Sequence, residues 1–136
     1  MSILAMDLGQ SKSVFVFRNE QGEERFGTFN TQSDSLRKVL ARHRPTLVVL
    51  EVGPLAAMVH DLAVELGLGV IVADTSQDAW SWRNVKRKTD RDDALKLLRL
   101  AMVGQLNPVH VPTATMRQWR GLLTAREATV VAQTRC

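Results

Sequence analysis

An α/β fold, one mixed five-stranded sheet flanked by helices in the order βββαβαβα, is what this sequence predicts. Two patterns carry that prediction. Three short runs rich in β-branched and aromatic residues open the chain, and apolar runs of strand length then alternate with segments of helical period. A hairpin meander followed by crossovers puts antiparallel and parallel strands in one sheet. At 136 residues the chain fits one domain large enough to bury a core without staples.

ILAMDL, SVFVFR and EERFGTF are the first three strands, and NEQG between the second and third supplies turn chemistry. SDSLRKVLARH is predicted helical, with Ser33 or Asp34 as its cap. TLVVLE after Pro45 is a nearly continuous apolar run of the buried-strand type, ending at Glu51. From Pro54 the period changes: Leu55, Met58, Val59, Leu62 and Leu66 recur on one helical face, and Gly67 marks the end. VIVA, Val70 to Ala73, is the fifth strand. A long polar segment precedes a helix from about Asp90 to Val103, stopped by Gly104; NPVHVP is then a loop and Thr115 onward reads as helical.

With 45% hydrophobic and 24% charged residues the composition is that of an ordinary globular domain. The one cysteine, Cys136, allows no internal disulfide and suits a reducing compartment, so a cytoplasmic location is expected. No apolar run approaches the roughly 18 residues that span a bilayer, so no membrane partner is expected. The net charge of +4 is unevenly placed: residues 1–79 carry 7 Lys/Arg against 10 Asp/Glu, whereas residues 80–136 carry 11 against 4. A basic half of this kind favours a polyanionic partner.

KTDRDDA, Lys88 to Ala94, sets three aspartates where positive charge is densest. On the helix it opens, Ala94, Leu97, Leu98 and Ala101 form an apolar stripe, and the stripe continued backward meets Asp93 and Asp90. Asp92 falls on the opposite face with Lys96 and Arg99. Thr89 as N-cap and Asp92 in a capping-box position explain two of these residues as helix-start chemistry, but a carboxylate aimed at the core, as Asp93 is, caps nothing. Asp7 interrupts the apolar first strand and Glu51 ends the fourth. If those strands are parallel neighbours, both acids emerge where open α/β sheets place ligands. Four acids meeting there repel one another unless a multivalent cation intervenes, and all-oxygen ligands suit Mg²⁺ or Mn²⁺, as one or two ions.

MDLGQSK, VVLEVG and KTDRDDA, in this order and spacing, closely resemble the amino-terminal domain of the DEDD-type insertion-sequence transposases and Piv-type DNA invertases. The resemblance implies a ribonuclease-H-like, RuvC-like fold, with Asp7, Glu51, Asp90 and Asp93 as catalytic metal ligands. It implies a transposase or site-specific recombinase domain that performs metal-dependent phosphoryl transfer on DNA. Further implied are a structured guide (bridge) RNA, assembly as a homo-oligomer, here through the carboxy-terminal helix, and a serine nucleophile from a separate carboxy-terminal domain. Residues 1–106 would form the catalytic domain and 107–136 a loop and the start of a connecting helix, with the serine-bearing domain expected to lie outside this chain. The sequence departs from the family where Val52 follows the glutamate, a place usually held by a small hydroxyl residue.

Beside the acids, Trp82, Arg83, Lys86, Arg87 and Lys88 combine a stacking face with phosphate-seeking cations, and Lys12 matches a lysine common in the family's first motif; these six are expected to contact nucleic acid. His43, His60 and His110 lack paired zinc spacing and are read as surface residues. A non-catalytic nucleic-acid-binding or assembly module is the alternative reading. One lobe of an actin-like ATPase or sugar kinase, whose first hairpin also carries a D-x-G loop, is a remote one, because those enzymes need a second phosphate loop.

Overall fold

The computed structural model describes residues 1–74, 90–109 and 111. Five strands, β1 (Ile3–Asp7), β2 (Lys12–Arg18), β3 (Glu24–Asn30), β4 (Leu47–Glu51) and β5 (Gly69–Ala73), form one sheet in the order β3-β2-β1-β4-β5. The first three are an antiparallel meander, while β1 pairs with β4 and β4 with β5 in parallel. Helices α1 (Ser33–His43), α2 (Ala56–Glu65) and α3 (Asp90–Met102) complete the predicted order.

Strand alternation divides the apolar side chains between two cores. Leu4, Met6, Phe15, Val48, Leu50 and Val72 face α1 and α2, where they meet Leu36, Leu40, Val59 and Leu62. Ile3, Ala5, Val16, Val49 and Ala73 face the other way and bury Ala94, Leu97 and Leu98 of α3. Burial of each such leucine is worth about 1.5–3 kcal/mol relative to exposure, so the stripe on α3 is enough to seat the helix. The small residues Ala5, Ala73 and Ala94, all fully buried, let helix and sheet approach closely.

Turn chemistry closes the β2–β3 hairpin as its sequence suggests. Asn19 Oδ1 accepts hydrogen bonds from the N–H of Gln21 at 3.0 Å and of Glu23 at 2.9 Å, and Gly22 takes φ 84°. In β3, a Cβ on Gly27 would stand 2.4 Å from the ring of Phe15, so the missing side chain makes room for that ring. A bidentate ion pair ties α3 to this hairpin: both guanidinium nitrogens of Arg99 bond Glu24, which also accepts from Arg18 at 3.1 Å. These pairs hold the Glu24 carboxyl below its usual range, the Arg99 bond contributing most.

Three local expectations are corrected. The N-cap of α1 is Gln32, with no side-chain cap bond; Ser33 and Asp34 lie inside the first turn, where Asp34 meets the positive end of the helix. NPVHVP is not wholly a free loop. Pro108 bridges Ala73, the Asp74 N–H donates to Asn107 O at 2.9 Å and the Val109 N–H to Val72 O at 2.7 Å, so this segment covers the outer edge of β5. His43 is only partly exposed, because its ring packs against Phe15 and Phe17 at centroid distances of 5.3 and 4.8 Å. The helix expected from Thr115 lies outside the described residues.

Gly27→Ala should destabilise the domain by about 1–3 kcal/mol through overpacking against Phe15, measured as a shift of the urea midpoint at unchanged slope. An unaltered midpoint would show that the ring yields without cost.

Candidate metal centre

Asp7 is on the α3 side of the sheet for the same reason that Ile3 and Ala5 are: strand residues two apart share a face. The register of β1 against β4, Ala5 opposite Val49 and Met6 opposite Leu50, continued by one step sets Asp7 beside Glu51. On α3, Asp90 and Asp93 precede Ala94, Leu97 and Leu98 on the buried face. Packing of that face against β1 carries both acids to the end of the strand. One carboxylate oxygen from each of Asp7, Asp90 and Asp93 lies within 4.8 Å of the others. Asp90 is exposed and Asp93 partly buried, with Asp93 Oδ1 sealed from solvent.

The electrostatic consequence falls on Asp7. Its carboxyl is pushed from the ordinary 3.8 up to about 7, first by burial, then by the charges of Asp93 and Asp90, by a hydrogen bond with Asp90, and by the charge of Glu51. Glu51 stands beside this trio: it lines, with Asp7, Gln10, Val52, Pro54 and Leu55, a cleft of about 310 Å³ at the carboxyl ends of β1 and β4. Asp92 is not part of the trio. The positive end of α3 partly offsets the repulsion among its own acids, but three carboxylates this close favour either a bound proton or a divalent cation.

The loop from β1 to β2 is held from behind. A Cβ on Gly9 would lie 2.2 Å from the carbonyl oxygen of Lys12, so only glycine fits this close approach. The Gly9 N–H donates to Ser13 Oγ at 3.3 Å, and the buried Ser13 hydroxyl pairs with Thr31 Oγ1 at 2.7 Å. Ser13 was not singled out in the sequence; a serine alternating with Val14 and Phe15 gives no sign that it is buried. Lys12 begins β2, exposed, on the same face as Val14, the register partner of Asp7. It therefore flanks the acids. Trp82, Arg83, Lys86, Arg87 and Lys88 lie outside the described residues, as does Thr89.

A transposase family model, DEDD type of the IS110 group, matches residues 4–136. The chain belongs to that family. Among solved structures it is similar to Thermus thermophilus RuvC, at 15% identity and a TM-score of 0.54, over 80% of this chain and 100% of that one. The same values of identity and TM-score hold for T. thermophilus RuvC in complex with a Holliday junction substrate, over 99% of that chain. These likenesses establish the ribonuclease-H-like, RuvC-like fold. No curated protein gives a match. Among the described residues of this transposase-family domain, no helix is long and apolar enough to cross a membrane.

In metal-free protein the folded state holds a proton on Asp7 that the unfolded chain releases above about pH 4, so stability should fall as pH rises from about 4 to 7 and level off beyond. Thermal melts across this window should show a smaller decline for Asp7→Asn than for wild type, with the variant the more stable of the two above about pH 7. Parallel curves for the two proteins would remove the raised carboxyl.

Proposed function

We propose that this domain is the metal-holding part of a DNA recombinase site that performs phosphoryl transfer. One observation carries the reading: in a transposase-family chain, oxygens of Asp7, Asp90 and Asp93 converge within 4.8 Å of one another. An all-carboxylate donor set of this kind suits Mg²⁺ or Mn²⁺, and a bound divalent ion supplies Lewis-acid stabilisation of charge on a scissile phosphate. Asp7, Asp90 and Asp93 would hold the ion, one or two in number, and Glu51 would complete the set from the adjacent strand end.

The rest follows from the chain's own residues. The raised carboxyl of Asp7 would have to release its proton to serve as a ligand, so loading would be linked to pH. Lys12 flanks the acids on the same face and is suited to a phosphate of the bound strand. The cleft beside Glu51, walled by Val52, Pro54 and Leu55, leaves room for the chain next to the reacting phosphate. DNA is the substrate in this reading, supported by the family and by the fold shared with a protein solved on a Holliday junction. The family resemblance further suggests that a serine hydroxyl from another domain is the nucleophile, that a structured RNA guides pairing, that Trp82, Arg83, Lys86, Arg87 and Lys88 add contacts to nucleic acid, that the working unit is a homo-oligomer, and that it acts in the cytoplasm.

Adding Mn²⁺ or Mg²⁺ to metal-free protein should raise Tm, as binding to the folded state alone requires. Asp7→Asn and Asp93→Asn should each abolish the rise, while Asp92→Asn should keep it. In the complete recombinase, Asp93→Asn should lower strand cleavage at least about a hundredfold, and Asp92→Asn should leave it within a few-fold. A metal-dependent rise that survives both Asp7→Asn and Asp93→Asn would falsify the centre; cleavage indifferent to Asp93 would favour a non-catalytic binding module.

A further inference from the structure

On the face that carries α1, and toward the opposite end of the sheet from Asp7, a second cleft of about 280 Å³ lies among Phe17, Asn19, Glu23, Arg25, Arg42 and His43. Its position follows from the register. Asp7 pairs with Val14, whereas Phe17 pairs with Arg25 three residues further along β2, and Phe17 packs into the core beneath α1 rather than that beneath α3. The carboxylate centre and this cleft therefore open on different sides of the domain.

The charge of the cleft is concentrated and only partly answered. Arg18, Arg37 and Arg99 each bond a carboxylate, of Glu24, Glu65 and Glu24 respectively. Arg25 and Arg42, both exposed, form no ion pair among the described residues. Glu23 is the only acid in the lining, and its Oε2 accepts a hydrogen bond from Asn19 Nδ2 at 3.4 Å. His43 lines the cleft together with the two arginines, its ring 4.8 Å from that of Phe17. Burial, then the charges of Arg42 and Arg25, hold its pKa below the ordinary imidazole value.

We propose that this cleft binds a phosphodiester of a nucleic-acid backbone, gripped by Arg25 and Arg42 with His43 beneath it, at a site separate from the carboxylate centre. Guanidinium forks match phosphate oxygens in geometry as well as charge, and Asn19 offers a further polar contact at the rim. The cleft is near the lower limit of ligand-site size, suited to one nucleotide unit of a longer strand rather than to a large folded ligand. The nucleic-acid identity of the occupant rests on the function proposed above; the anion chemistry rests on the cleft alone.

The test uses the full chain in EDTA, so that the carboxylate centre takes no part, and a labelled single-stranded oligonucleotide. Arg25→Gln/Arg42→Gln should keep the wild-type Tm, weaken binding roughly tenfold at low salt, and reduce the steepness of log Kd against log salt by about 0.7, the value for one phosphate of a single strand. Arg25→Lys/Arg42→Lys should retain part of the affinity, because charge remains and the fork is lost. The ring resonances of His43 in the wild type should shift with the oligonucleotide and not with polyglutamate. The proposal is overturned by an unchanged salt slope in the Gln variant, by a His43 ring that the oligonucleotide leaves in place, or by an equal response to polyglutamate. It also falls if tripolyphosphate moves the ring and the oligonucleotide does not. Because the metal-dependent rise in Tm is measured without nucleic acid, either reading can fail while the other stands.

Discussion

The seating of α3 on the sheet is the constraint on which the candidate centre depends. Ala94, Leu97 and Leu98 are fully buried against Ile3, Ala5, Val16, Val49 and Ala73, and this packing sets both the height of the helix and its rotation about its own axis. Asp90 and Asp93 lie on the same face of that helix one turn earlier, so they must arrive wherever the stripe leads. Asp7 lies on the same face of β1 as Ile3 and Ala5, so it must be there to meet them. The apolar contacts thus hold together charges that would separate if free to do so.

That arrangement costs stability and is informative for the same reason. Each carboxylate would be better solvated alone, and the molecule answers by drawing the Asp7 carboxyl up to about 7 and by hydrogen-bonding it to Asp90. The far end of the helix is anchored differently. Arg99 clasps Glu24 on β3, so α3 is held to the meander at its carboxyl end by an ion pair and to β1, β2 and β4 by apolar burial. Neutral packing in the middle, attraction at one end and repulsion at the other make the amino-terminal end the place where a cation or a proton changes the energy most.

The two faces of the sheet divide the remaining charge. On the α3 side, Arg99 and Arg18 are matched to Glu24, Arg91 lies over the Phe26 ring, and Lys12 shares the face of the acidic trio. On the α1 side, Arg25 and Arg42 border a cleft that contains a single carboxylate. A domain with this division can contact a polyanion on one face while a cation holds it on the other, and the two contacts need not compete.

The sequence by itself determined the strand and helix order, because period and turn chemistry are local: NEQG announced its turn, TLVVLE its buried strand, and the i, i+3, i+4 spacing of Asp90, Asp93 and Ala94 placed two of three clustered aspartates on one face. It also pointed to Asp7 and Glu51 as acids out of keeping with their apolar strands. Only the tertiary structure decided that Asp7, Asp90 and Asp93 form the close group while Glu51 stands at the neighbouring cleft, since that depends on how near α3 lies to β1 rather than β4. It alone revealed the Arg99–Glu24 clasp, 75 residues apart in the chain, and the His43 ring against Phe15 and Phe17. Contacts between residues far apart in sequence leave no periodic trace; they exist because burying an apolar face fixes which strand a helix crosses, and side chains then pair with whatever that crossing brings near.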